Sequence, residues 1–201
     1  MVWLASAMCK RGITPNTVSV SSVLFAVLGG AALVLSHGVD PAVSVALLAG
    51  AVVCIGLRSM ANLIDGMIAV EGGKGTPSGA IYNEFPDRLS DIAFFLGAGY
   101  ATAGTAGSVE LGWAAALLAV LAAYTRALGA ASGAPHDFGG LMAKPHRMAL
   151  LALGCTALAV EQLTIGTRYA LTVTLAIVCA GCVVTIAGRL SRAVRALEAK
   201  R

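Results

Sequence analysis

The sequence predicts an all-α, polytopic membrane protein with six transmembrane helices and both termini on the cytoplasmic side. Three observations predict it. Of the 201 residues, 58% are hydrophobic and only 12% are charged, whereas a soluble domain carries roughly 25% charged residues. The apolar residues gather into six stretches, each close to the about 20 residues that a helix needs to cross a bilayer. The basic residues collect at one side of those stretches, as the positive-inside rule requires.

The first stretch runs from about Val18 to Ser36, after a short juxtamembrane segment, 1–17. The second starts near Pro41 and continues to about Val70. The third spans about Phe85 to Ala106, the fourth Leu111 to Ser132, the fifth Arg147 to Leu163 and the sixth Tyr169 to Leu190. In lipid every backbone polar group must pair internally, so these stretches are helices. With 24 glycines and 5% aromatics, the composition suits closely packed membrane helices. With both termini inside, thirteen of the fourteen Lys and Arg lie at cytoplasmic helix ends and only Arg168 lies outside. The chain reads as one membrane domain, 1–201, ending in a basic tail, 189–201. That tail is either an amphipathic end on anionic lipid or a solvated helix terminus.

The net charge of +4 is absorbed by these flanks. No separate basic face remains for nucleic acid. Lys10 and Arg11 follow the first apolar residues instead of preceding them, so no cleavable leader is expected. The pair Cys179 and Cys182 has metal-like spacing, but no second pair or His accompanies it, and the cysteines read as small buried hydrophobes.

Half of the ten acidic residues fall between Asp65 and Asp91: Asp65, Glu71, Glu84, Asp87 and Asp91. Ionisable groups beside a membrane span are costly and mark function by default. Asn62 and Asp65 share a face near the end of the second span. Glu84, Asp87 and Asp91 share a face at the start of the third. A short connection makes these spans antiparallel neighbours, so both faces can meet in one cytoplasmic cleft. Converging carboxylates repel unless a cation intervenes. Oxygen donors without His or Cys suit Mg²⁺ or Mn²⁺, with Ca²⁺ as a lookalike. The alternative is that the acids only pair with Arg58, Lys74 and Arg88.

The segments Asn62-Leu-Ile-Asp65-Gly66-Met-Ile-Ala69-Val70 and Asn83-Glu84-Phe-Pro-Asp87-Arg88-Leu-Ser-Asp91 resemble the paired motif of the CDP-alcohol phosphatidyltransferases. The family pattern is Asp-x-x-Asp-Gly-x-x-Ala-Arg, a spacer, then Gly-x-x-x-Asp-x-x-x-Asp. Ile13-Thr14-Pro15-Asn16 and the six-span topology resemble the family too. The resemblance implies two divalent ions, Mg²⁺ or Mn²⁺, held by Asn62, Asp65, Asp87 and Asp91. It implies Asp91 as the base that activates the acceptor hydroxyl. Gly66 and Ala69 would let the cytidine nucleotide approach, with Asn83 and Arg88 also on the nucleotide side. A homodimer in the cell membrane, with its active site facing the cytoplasm, is implied as well.

Three positions depart from the pattern: Asn62 for Asp, Val70 for Arg and Asn83 for Gly. Glu84 is expected to restore the missing negative charge as a further metal ligand, and Lys74 or Arg88 to supply the missing cation. Lys144 and Arg147, around Pro145 and His146, are expected to capture an anionic part of the acceptor. The glycine-rich loop from Glu71 to Gly79 is not a Walker A motif, since Ile68 stands where Gly is required. It is either a lid or a linker.

The expected function is transfer of a phosphatidyl or other substituted phosphoryl group from a CDP-linked lipid donor to a hydroxyl acceptor, with release of CMP. Two other classes compete: a catalytically silent relative that binds a nucleotide or partner, and a small transporter. The one-sided acids argue against the transporter.

Overall fold

The structure, a computed structural model, describes residues 14–70 and 78–200, and of 69 and 70 the backbone only. The described residues form α1 (Pro15–Ser21), α2 (Val23–Leu35), α3 (Pro41–Val70), α4 (Gly79–Ala101), α5 (Ser108–Ala131), α6 (Lys144–Thr164) and α7 (Ala170–Glu198). Thr14 caps α1, its Oγ1 accepting from the Thr17 N–H at 3.2 Å. Pro15 follows in the first turn, where a missing N–H costs nothing. Ser22 interrupts the helix, and its Oγ donates to the Ser19 carbonyl at 2.6 Å.

Among the described residues, four helical stretches are long and apolar enough to cross a membrane: Pro15–Leu35, Pro41–Ile68, Ser108–Ala131 and Ala170–Glu198. Helices α4 and α6 have 23 and 21 residues, so at about 1.5 Å per residue each exceeds 30 Å. They fall short in composition. Helix α4 carries Glu84, Asp87, Arg88 and Asp91, and α6 carries Lys144, Arg147 and Glu161. Helices α2 to α7 close a ring in the order α2, α4, α5, α7, α6, α3 and back to α2, and α4 also meets α7 across the middle. The core holds Leu33, Phe94, Phe95, Leu151, Leu158 and Leu175, each fully buried. Outward-facing Leu24, Leu117, Leu153 and Val184 stay exposed, as side chains that meet lipid should.

Helix α4 starts six residues before the expected Phe85. Its Pro86 is accommodated inside the helix, at the cost of one backbone hydrogen bond. The same helix ends at Ala101 instead of Ala106, in a turn closed by Gly107 at φ +75°. Helix α7 runs to Glu198, so the basic tail is its continuation.

The bundle end away from the Asp65–Asp91 cluster is pinned by polar contacts. Arg168 donates to the carbonyls of Ser36 and Ala101, both at 2.9 Å, and so ties the C-terminal ends of α2 and α4. Glu161 accepts from the N–H groups of Tyr169 and Ala170 at 2.8 Å, which satisfies the start of α7. Between these ends α4 is pressed against its neighbours through glycines. A Cβ on Gly97 would lie 2.5 Å from the Gly30 carbonyl oxygen, and one on Gly112 would lie 2.8 Å from the Gly99 Cα.

This contact is testable. In Gly30→Ala the new Cβ would stand 2.5 Å from the Ala93 carbonyl oxygen. The helices must separate, and overpacking of this kind costs about 1–3 kcal/mol. The variant should unfold at a lower temperature in detergent. Gly50→Ala, whose Cβ meets nothing within 4 Å, should not.

Candidate active site

Helical spacing sets the site. Arg58, Asn62 and Asp65 lie on one face of α3, and Asp87 and Asp91 on one face of α4. A single guanidinium joins the two helices. Arg58 Nε donates to Ser90 Oγ at 2.8 Å, and Nη2 donates to Asp87 Oδ1 at 2.5 Å. Its Nη1 donates to Asn62 Oδ1. The side chain is only 2% exposed. Asn62 Nδ2 also donates to Asp87 Oδ1, at 3.2 Å.

The remaining acids are held in different ways. Asp65 Oδ2 accepts from Ser19 Oγ at 2.5 Å, which brings α1 to the site. Lys144, at the start of α6, forms an ion pair with Asp87 Oδ1. Arg147 Nη2 donates to Asp91 Oδ2 at 2.8 Å, and its Nη1 donates to the Met142 carbonyl at 2.9 Å. Asp91 is fully buried. Its Oδ1 has no hydrogen-bond partner. The inner cluster thus sets three carboxylates, on Asp65, Asp87 and Asp91, against three cations, on Arg58, Lys144 and Arg147.

Glu84 lies apart from that cluster. Its carboxylate pairs with Arg126 and, at 3.3 Å, with Arg88. The Arg126 guanidinium also stacks over the Phe138 ring, 4.7 Å from its centroid. The group that meets Asn62 is Arg58. Arg88 reaches Asp87 only at 3.6 Å.

Two depressions open beside the cluster. A polar cleft of about 360 Å³ is lined by Asn83, Glu84, Arg88, Arg126, Arg147 and Arg189, among others. An apolar groove of about 490 Å³ runs between α3 and α6, lined by Val52, Ile55, Leu63, Met148 and Ala152. Asn62 and Lys144 line both. Asn83 is exposed at the cleft. Gly66 is exposed too, and a Cβ there would meet nothing within 4 Å. The side chains of Ala69 and Val70, and residues 71–77 with Lys74 and most of the glycine-rich loop, lie outside the described residues.

Arg189 was not expected at the site. It is buried in α7 and donates to the Gly139 carbonyl at 3.0 Å and to the Ala122 carbonyl. It thereby fastens the 132–143 connection over the cleft. In that connection, burial pushes the Asp137 carboxyl up. Hydrogen bonds from Arg192 and the Gly139 N–H outweigh it and hold the group below its ordinary value.

Among the described residues, no three His, Cys, Asp or Glu side chains already form a cage for one ion. Cations of the chain itself stand among the acids instead. The donors nevertheless fit a hard divalent cation. They are oxygens on Asp65, Asp87 and Asp91, and Asp91 Oδ1 is a buried acceptor without a partner. Such an atom is costly unless something charged or hydrogen-bonding meets it.

No family model matches the chain. It is similar to a phosphatidylinositol phosphate synthase of Corynebacterium glutamicum, 32% identical over 203 residues, 98% of this chain and 85% of the relative. A phosphatidylinositol phosphate synthase of Mycolicibacterium smegmatis is 29% identical over 154 residues, 75% of this chain and 65% of the relative. The fold is that of the Mycobacterium tuberculosis phosphatidylinositol phosphate synthase. Its structure with CDP-DAG bound gives a TM-score of 0.79 at 23% identity, covering 96% of this chain and 92% of that one. Its complex with manganese and citrate gives 0.78, covering 95% and 87%.

The buried pair of Arg147 and Asp91 yields a prediction. Arg147→Leu leaves Asp91 charged and uncompensated, and breaking a buried pair costs about 3–5 kcal/mol. Adding Asp91→Leu should recover most of that stability. A double-mutant cycle on thermal unfolding in detergent checks it. Equal and additive losses from the two substitutions would refute the coupling.

Proposed function

This chain belongs to the CDP-alcohol phosphatidyltransferase family, and from that premise we propose that it moves a phosphatidyl group from CDP-diacylglycerol to a hydroxyl acceptor, releasing CMP. One observation carries the reading: the apolar groove and the polar cleft share Asn62 and Lys144 at the carboxylate cluster. A donor with acyl chains in the groove would present its pyrophosphate at that junction, and a polar acceptor would approach through the cleft.

The acceptor we propose is a phosphorylated polyol, inositol phosphate first. The relatives are phosphatidylinositol phosphate synthases. The cleft is lined by Arg88, Arg126, Lys144, Arg147 and Arg189, a set suited to a phosphate dianion. Asn83 and Gly66, exposed at the same end of the bundle, would face the nucleotide, with Ala69 beside them. We further propose six membrane spans, with α4 and α6 as the two polar ones, since the ring closes through both. Both termini and the cleft would face the cytoplasm, in a homodimer.

In the reaction, Asp65, Asp87 and Asp91 would hold a divalent ion, Mg²⁺ or Mn²⁺, with Asn62 beside them. When bound, that ion neutralises the donor phosphates and the departing CMP. Lys144 holds the donor phosphates at the junction of groove and cleft. Asp91 takes the acceptor proton at Oδ1 as the hydroxyl oxygen bonds to phosphorus and the bond to CMP breaks. Arg147 keeps Oδ2 in place during that transfer, at 2.8 Å.

Membranes holding the protein should release CMP from CDP-diacylglycerol when inositol phosphate is added, and EDTA should stop the release until Mg²⁺ or Mn²⁺ returns. Asp91→Asn should lower the rate by at least about 10²-fold, the usual range for a lost general base. Full activity in excess EDTA would contradict the proposed site. Nucleotide-lipid binding with no CMP release from any acceptor would instead mark a relative that binds without turnover.

A further inference from the structure

We propose that the Arg58 guanidinium stands in for one divalent cation, so that this site takes a single ion where the family resemblance implies two. The inference rests on the transferase reading above and concerns how that site balances its charge.

The argument begins with lone pairs. Asn62 is neutral, and its Oδ1 already accepts from Arg58 Nη1. Asp87 Oδ1 accepts from Arg58 Nη2 and Asn62 Nδ2 and pairs with Lys144. A carboxylate oxygen has about two lone-pair sites, so this atom has none left for an ion. One Asp65 oxygen is engaged by Ser19. The acceptors that Arg58, Lys144 and Arg147 leave to an ion are on Asp65, on Asp87 Oδ2, which Arg88 reaches only at 3.6 Å, and the unpartnered Asp91 Oδ1. They would supply hard donors for one ion, although among the described residues they do not yet close into a cage. A second set would have to draw on Asn62 Oδ1 and Asp87 Oδ1, the two atoms that Arg58 occupies.

Charge leads to the same number. Three carboxylates and three cations cancel in the inner cluster, while Arg88, which reaches Asp87 only at 3.6 Å, shares Glu84 with Arg126 outside it. One divalent ion would add the positive charge that the two phosphates of the donor return. Two ions would leave an excess that no residue of the cluster offsets. Arg58 is also fixed where it stands. It is 2% exposed, its three nitrogens are all engaged, and it lies one helical turn before Asn62 on the same face. It therefore acts as a positioning residue, with a charge that cannot leave.

The test is a count of Mn²⁺ bound per chain, on the full-length protein purified in detergent, by equilibrium binding with electron paramagnetic resonance of the free ion. CMP release is measured on the same samples. One Mn²⁺ per chain is expected. Asn62→Asp should still bind one, because the new carboxylate pairs with Arg58. The double variant Arg58→Leu with Asn62→Asp should bind two. Two ions in the unmodified chain, with CMP released, would overturn the Arg58 assignment and leave the transferase reading intact. A folded double variant that still binds one would overturn the assignment as well. No bound Mn²⁺ together with no CMP release would remove the transferase reading itself. If the double variant does not fold, the count on the unmodified chain decides.

Discussion

The Arg58 guanidinium is the contact on which the rest of the polar end depends. It is a permanent charge inside an apolar helix, and isolated it would be very costly. It is tolerated because each of its nitrogens finds an oxygen: on Ser90, on Asn62 and on Asp87. Two of those oxygens belong to α4, so the same bonds set the register of α3 against α4. Moving α4 by one residue would carry Asp87 and Ser90 off the shared face together. The register of the two motif-bearing helices and the solvation of one arginine are the same requirement.

That requirement repeats around the cluster. Arg147 carries Asp91 from α6 to α4, Lys144 carries Asp87 in the same way, and Ser19 brings Asp65 to α1. Each partner lies on a different helix from its acid. The pairs add little net stability, since the desolvation of both charges offsets much of the attraction. What they provide is geometry, because each acid is oriented before any substrate arrives. The opposite end supplies rigidity by other means. Arg168 bonds to carbonyls at the ends of α2 and α4, and glycines let α4 press against α2 and α5 with no side chain between. The site sits on a frame that is held tightly where no chemistry is proposed.

Much of this was legible in the sequence. Apolar length located the helices to within a few residues, except at both ends of α4, where Pro86 is absorbed and the helix stops at Ala101, and at the end of α7, which runs on to Glu198. The spacing of Asn62 and Asp65, and of Asp87 and Asp91, put the right residues on facing sides, because helical periodicity is local information. Pairing of the acids with Arg58 and Arg88 was one of the two readings; what stayed hidden was which acid each takes. Arg58 is four residues before Asn62, so its face was readable, but its bond to Asp87 crosses 29 positions. The bond from Ser19 to Asp65 crosses 46 and that from Arg189 to Ala122 crosses 67. No periodic signal encodes such contacts. Glu84 illustrates the limit. It shares a face with Asp87, yet Arg126 on α5 draws its carboxylate away from the cluster, a choice set by which helix comes to lie beside it.

The position of Lys144 explains why a lipid-linked and a water-soluble substrate can meet at one carboxylate. A lipid donor must keep its chains in an apolar trough, while a charged acceptor must stay hydrated. Their surfaces can join only where a polar residue borders both. Pro145 favours a helix start at this point, so the first turn of α6 delivers Lys144 to Asp87, and Arg147 three residues later to Asp91. The same turn continues into Met148 and Ala152, which form the wall of the apolar groove. One helix start thus supplies cations to Asp87 and Asp91 and an apolar wall to a lipid chain. The two substrates are brought together by the periodicity of α6 without a separate domain to hold either of them.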